Sequence, residues 1–168
     1  MMLRGWFLLT ATLALAGCGS LSTAPAPDSA DAKSGVVVRR TGNAEDVVLF
    51  ALGLLDTNYR FGGRNPAAGF DCSGMVSYVF DKAAGIRLTG SAADIARKGR
   101  PVAPSHMKPG DLVFFNTRHR HHSHVGIYIG EGRFVHAPSS RGEAKVRTDS
   151  LSEGWFAGRF EEARTYFD

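Results

Sequence analysis

The sequence predicts an α+β domain whose helices come first and pack on a later antiparallel β-sheet. Three observations predict it. Apolar residues recur at helical spacing between Asn43 and Ala84, strand-like alternation takes over after Pro109-Gly110, and no strand–helix–strand pattern joins the halves. Asn43 followed by Glu45 and Asp46 marks a helix start, with acids on the positive helix end. Val47, Val48, Phe50, Ala51, Leu54 and Leu55 then form a stripe that predicts helix to about Thr57. Residues 62–70, GGRNPAAGF, read as a loop. A second helix is expected from Cys72 to Ala84, burying Met75, Val76, Val79, Phe80 and Ala83 and closing at Gly85. A short third helix spans Ser91 to Lys98, and DLVFF, HVGIYIG, RFVHA, AKVRT and GRFEEARTYF read as strands.

The composition is that of one globular domain plus an appendage: 168 residues, 43% apolar, 21% charged, 20 Gly and 2 Cys. Two cysteines exclude a disulfide scaffold and a four-thiolate zinc site. The net charge of +4 comes without a Lys/Arg run, which argues against nucleic acid and suits a polyanionic neighbour. Residues 1–17 read as a signal peptide: Arg4 precedes an apolar stretch from Trp6 to Ala16 too short to span a bilayer. Leu15-Ala16-Gly17-Cys18 resembles the lipobox of bacterial lipoproteins, which implies cleavage before Cys18 and lipid on its thiol. Gly19, where Asp is absent, resembles the sorting pattern for the outer membrane of Gram-negative cells. Residues 18–42, rich in Ser, Ala, Pro, Gly and Thr, form a tether reaching at most about 80 Å, and the domain occupies 43–168.

Cys72 follows Asp71, a good N-cap, so it falls in the first helical turn. The unpaired N–H groups there are expected to lower its pKa and make it a nucleophile. Two other readings remain open at this point: a small core residue, or half of a Cys18–Cys72 disulfide. A nucleophile needs a base and an orienting group. In HSHVGIYIG, Val125, Ile127 and Ile129 share one face, leaving His124, Gly126 and Tyr128 on the other. If Gly130, Glu131 and Gly132 form the turn, Ile129 pairs with Arg133 and His136 falls opposite Gly126, on the face of His124. A two-residue turn would slip the register and send His136 to the other face. His122 shares the parity of His124 and is a reserve base, and HRHHSH also admits a metal site.

Taken together, Tyr59-Arg60-Phe61-Gly62-Gly63, GFDCSG, PGDLVFF, HVGIYIG and FVHAPSS resemble, in that order, the NlpC family of papain-like cysteine peptidases of the bacterial cell wall. The resemblance covers about residues 43–165. It implies a papain-like fold with the nucleophile at a helix N-terminus against an antiparallel sheet. It also implies Cys72 as nucleophile, His124 as base, His136 as third polar residue, and Tyr59, Asp71 and Ser73 as holders of the stem peptide's end. The implied reaction is hydrolysis of amide bonds in peptidoglycan stem peptides, by a lipid-anchored monomer at the cell envelope that needs no metal or other cofactor. An amidase or acyltransferase on another amide or lipid is the alternative enzyme, and a non-catalytic wall-binding lipoprotein the alternative binder. Met75 stands where the family more often has Leu, and LTGSAADIAR matches the family's Pro-Arg-Thr stretch only loosely.

Overall fold

The computed structural model describes residues 43–139 and 143–168. The signal peptide, Cys18 and the tether lie outside the described residues. The first helix, α1 (Ala44–Leu52), starts at Asn43 with a capping box in which Asn43 and Asp46 satisfy each other's backbone N–H groups. It ends at Leu52, short of Thr57, because Gly53 caps it and residues 53–56 form turns. Val47, Ala51 and Leu54 are buried, whereas Leu55 is exposed. The predicted loop contains a small hairpin, β1 (Arg64–Asn65) against β2 (Gly69–Phe70).

Helix α2 (Cys72–Val79) continues through a π-helical turn, Phe80–Ala84, and closes on Gly85 in the left-handed region. The predicted span is therefore helical throughout, though its last turn is wider than α. Helix α3 (Ala92–Ala96) is shorter than predicted, with Ser91 and Asp94 forming a second capping box. The strands are β3 (Arg100–Val102), β4 (Leu112–Phe115), β5 (His124–Gly130), β6 (Arg133–His136), β7 (Arg147–Ser150) and β8 (Phe160–Thr165), with a one-turn helix α4 (Gly154–Ala157) before the last. They form one antiparallel sheet in the order β3-β8-β4-β5-β6-β7. Neither β3 nor α4 was predicted.

AKVRT is not one strand. Residues 144–146 leave the sheet to pair with 56–59, where Tyr59 N–H donates to Ala144 O (2.8 Å) and Val146 N–H to Thr57 O (2.8 Å). The sheet has two apolar faces. Leu112, Phe114, Val125, Ile127 and Val135 pack with the buried sides of α1, α2 and α3. Val113, Phe115, Phe134 and Ala163 pack on the opposite face with Phe156 of α4. The alternation along β5 thus sends valine and isoleucine to the helices and its histidine to the α4 side.

Candidate active site

The β5–β6 turn decides where His136 points. The turn has two residues, Glu131 and Gly132, both at positive φ (53° and 69°), and Gly130 pairs with Arg133. By parity alone this turn would put His136 on the wrong face. A bulge between Tyr128 and Gly130 absorbs one residue, so Tyr128 pairs with Phe134 and Ile127 with Val135. The predicted arrangement of the two histidines survives through a different turn. His136 is fully buried and its Nδ1 lies 2.7 Å from His124 Nε2. Gly126 makes the room: a Cβ there would stand 2.6 Å from the Phe134 ring and 3.3 Å from His136 Cβ.

A residue the sequence reading missed completes this line. His136 Nε2 lies 2.9 Å from Asp149 Oδ2 on β7, and Arg147 donates to the same oxygen from Nη2 (3.1 Å). The register pairs His136 with Arg147 and Phe134 with Asp149, so Asp149 is the diagonal neighbour of His136 on its own face. The spacing Arg-x-Asp in VRTDS was the available signal, but only with the β6–β7 register in hand.

Proton positions follow from chemistry. Burial opposes charge on Asp149, but hydrogen bonds from His136 and Arg147 outweigh it and hold its pKa below the ordinary value. An ionised carboxylate only accepts, so His136 Nε2 carries a proton. Burial holds both imidazoles below their usual pKa, His124 far below, and His136 is neutral with a bare Nδ1. That nitrogen accepts from His124 Nε2–H, which leaves the His124 lone pair on Nδ1. The Phe156 ring walls off both imidazoles, with centroids 5.3 Å and 4.6 Å away.

Cys72 opens α2, with Asp71 as cap: Oδ1 accepts Gly74 N–H (2.7 Å) and the Ser73 hydroxyl (3.1 Å), and Oδ2 accepts Gly62 N–H (2.9 Å). Gly74 lets the Gly-Gly loop close over this turn, since a Cβ there would meet Gly63 O at 2.0 Å. The sulfur, half-buried, receives backbone N–H groups from Ser73 and from Val125, the residue after His124. The expected low pKa is not found. Burial and the Asp71 carboxylate outweigh these N–H groups and Arg118, and the thiol is pushed up to about 11. Tyr59 stands beside this turn; burial raises its pKa, and charge on Cys72 and Asp71 adds to the effect. The Ser139 hydroxyl bonds its phenol.

The structure thus brings Tyr59, Asp71, Cys72 and Ser73 together at the start of α2, and His124 and His136 together on β5 and β6. It does not bring His122 to them. That residue sits in a turn at φ 49°, its Nε2 2.9 Å from Glu162 and its ring against Phe114. The HRHHSH histidines are dispersed, His121 on Glu161, His122 on Glu162 and His124 on His136. Among the described residues no group of three or more His, Cys, Asp or Glu is placed to hold a metal ion.

Comparison with known proteins joins this geometry to a lineage. The NlpC/P60 family profile matches residues 56–165, which takes in every strand of the main sheet and both histidines. The chain belongs to the NlpC/P60 family. It is 48% identical over 109 residues to a gamma-DL-glutamyl hydrolase of Bacillus subtilis, a match covering 64% of this chain and 26% of that protein. It is 35% identical over 150 residues to the murein DD-endopeptidase MepH of Escherichia coli, covering 88% of this chain and 54% of the relative. The chain therefore spans about half or less of these relatives' lengths. A crystal structure of an NlpC/P60 family protein from Bacillus cereus superposes with a TM-score of 0.68 at 30% identity, over 76% of this chain and 41% of that one.

Proposed function

We propose that this NlpC/P60 domain is a cysteine peptidase that hydrolyses amide bonds in peptidoglycan stem peptides through a thioester. The carrying observation is the line His124–His136–Asp149, which leaves a lone pair on His124 Nδ1 in the strand whose next residue touches the Cys72 sulfur. The resting pair is neutral, since burial opposes charge on both partners. As the sulfur attacks the peptide carbonyl, His124 Nδ1 takes the thiol proton, and His136 and Asp149 stabilise the imidazolium. The Cys72 backbone N–H and the Tyr59 hydroxyl stabilise the oxyanion. His124 then gives its proton to the leaving amine, and water activated by the same nitrogen releases the acid from sulfur.

Asp71, Ser73 and Tyr59 hold the peptide's end, with Asp71 sharing its carboxylate between helix cap and substrate. The relatives' names, a gamma-DL-glutamyl hydrolase and a murein DD-endopeptidase, support wall-type peptide amides as the substrate class. Residues 1–17 serve as an export signal, Cys18 carries lipid, and 18–42 tether a monomeric domain, 43–168, to the periplasmic face of the outer membrane. The test is mass spectrometry of purified wall fragments after incubation with the chain. New fragments separated by one amide hydrolysis, abolished by thiol alkylation and untouched by a chelator, are expected. Cleavage that survives alkylation would overturn the reading, and radiolabelled palmitate on Cys18→Ser would overturn the anchor.

A further inference from the structure

We propose that Arg118 forms a carboxylate-binding subsite for the residue on the leaving-amine side of the scissile bond. The inference rests on the peptidase reading above and specifies the chemistry of its substrate. Arg118 lies in the segment between β4 and β5, residues 116–123, which the protein holds firmly. Thr117 N–H donates to Ser123 Oγ (2.8 Å), Arg120 N–H to Asn116 Oδ1 (2.9 Å), and His122 N–H to Glu161 Oε2 (2.7 Å). These bonds flank Arg118, whose own side chain is exposed and has no hydrogen bond or ion pair among the described residues.

The same side chain lines a groove of about 240 Å³ shared with Thr117, His124, Ser139, Trp155 and Phe156. Its charge lowers the pKa of Cys72, Tyr59 and His124 alike, so the exposed guanidinium stands close enough to the reacting groups for its field to reach them. His124 must protonate the leaving amine, so the leaving half of the substrate lies over His124, in this groove. The cleft is then polar end to end, with the Asp71 carboxylate beyond Cys72 and the Arg118 guanidinium beyond His124. A planar guanidinium with free donors suits a carboxylate. Pairing would also remove a positive charge that opposes protonation of His124. The carboxylate therefore acts on turnover as well as on binding.

The test compares two synthetic wall peptides that differ only in the leaving-group residue, its carboxylate free in one and amidated in the other. The chain is expected to favour the free acid by about threefold to fivefold in kcat/KM, the scale of a charge pair on a solvent-open rim. That preference should shrink as salt is raised. In Arg118→Gln it falls to near one, and Arg118→Lys recovers part of it. Calorimetry with Cys72→Ala and the same peptides reads the subsite without turnover. An acid preference in binding that Arg118→Gln abolishes supports the subsite even if neither peptide is cut, in which case the peptidase reading fails alone. Equal handling of acid and amide by the intact chain, or an unchanged preference in Arg118→Gln, overturns the subsite.

Discussion

Replacing Asp149 by Asn tests whether the carboxylate gives the imidazole chain its direction. The carboxylate fixes the proton on His136 Nε2 at 2.9 Å, which frees Nδ1 to accept from His124 at 2.7 Å. Asn removes the negative charge and offers an amide that donates as readily as it accepts. Two hydrogen bonds and one ring separate the carboxylate from His124, roughly 8 Å. At an effective dielectric of about 20, that charge stabilises a His124 imidazolium by about 2 kcal/mol. Arg147 at 3.1 Å and a side chain 30% exposed cut the figure to about 1 kcal/mol. Exchanging a charged acceptor for a neutral one loses about 1 kcal/mol more of preference for the productive tautomer. The sum, about 2 kcal/mol, is roughly a thirtyfold fall in kcat. Steady-state kinetics on a synthetic wall peptide read it, with a thermal melt to show that the variant is folded. KM should stay within about twofold, because Asp149 touches no substrate. A folded Asp149→Asn variant with kcat within threefold of the wild type would refute the reasoning.

Other expectations follow from the same geometry. Cys72→Ala should abolish cleavage of wall fragments while the far-ultraviolet circular dichroism spectrum stays unchanged; residual cleavage removes Cys72 as the nucleophile. With the thiol pushed up to about 11, alkylation of Cys72 in the free chain should keep accelerating from pH 7 to 10; a plateau below pH 7 would mean a resting thiolate–imidazolium pair. His124 and His136 have folded pKa values below the ordinary 6.5, so their contribution to stability is complete above 6.5 and is lost as pH falls toward the folded values. The melting temperature should therefore drop between pH 7 and 5, with less slope in His136→Gln, and a flat profile contradicts this. Gly126→Ala drives a methyl to 2.6 Å from Phe134, and overpacking of this kind costs about 1–3 kcal/mol in denaturant titration; no loss of stability would show that the Phe134 ring can move aside.

The parts of the fold legible in the sequence were those set by local chemistry. Asp71 and Asn43 announce helix starts by their caps, Gly85 announces a helix end by its left-handed backbone, and alternation along HVGIYIG assigns its two faces. What stayed illegible depends on distant partners. The bulge near Ile129 is invisible in a pattern of period two, and it alone reconciles a two-residue turn with His136 facing His124. Residues 144–146 read as a strand and do pair, but with 56–59, a partner no local signal names. Asp149 is one of many carboxylates until the β6–β7 register sets it beside His136. The pKa of Cys72 failed as a prediction because the helix-end N–H groups were weighed without the burial and the Asp71 charge that oppose them.

That reversal changes what the rest of the site is for. With the thiol high and the imidazole low, the resting pair is neutral, and in the proposed mechanism charge on His124 develops only on the way to the carbon–sulfur bond. Groups that favour positive charge on His124 then act on the barrier, not on the resting enzyme. Asp149 favours it through His136, while Arg147 and Arg118 oppose it. Arg147 is already answered by Asp149, at 3.1 Å. Arg118 has no such answer among the described residues, and under the proposed subsite the counter-charge arrives with the substrate. A chain built this way is a poor nucleophile when empty and becomes a better one when an anionic leaving group covers Arg118. Selectivity and rate are then two readings of one electrostatic balance around His124.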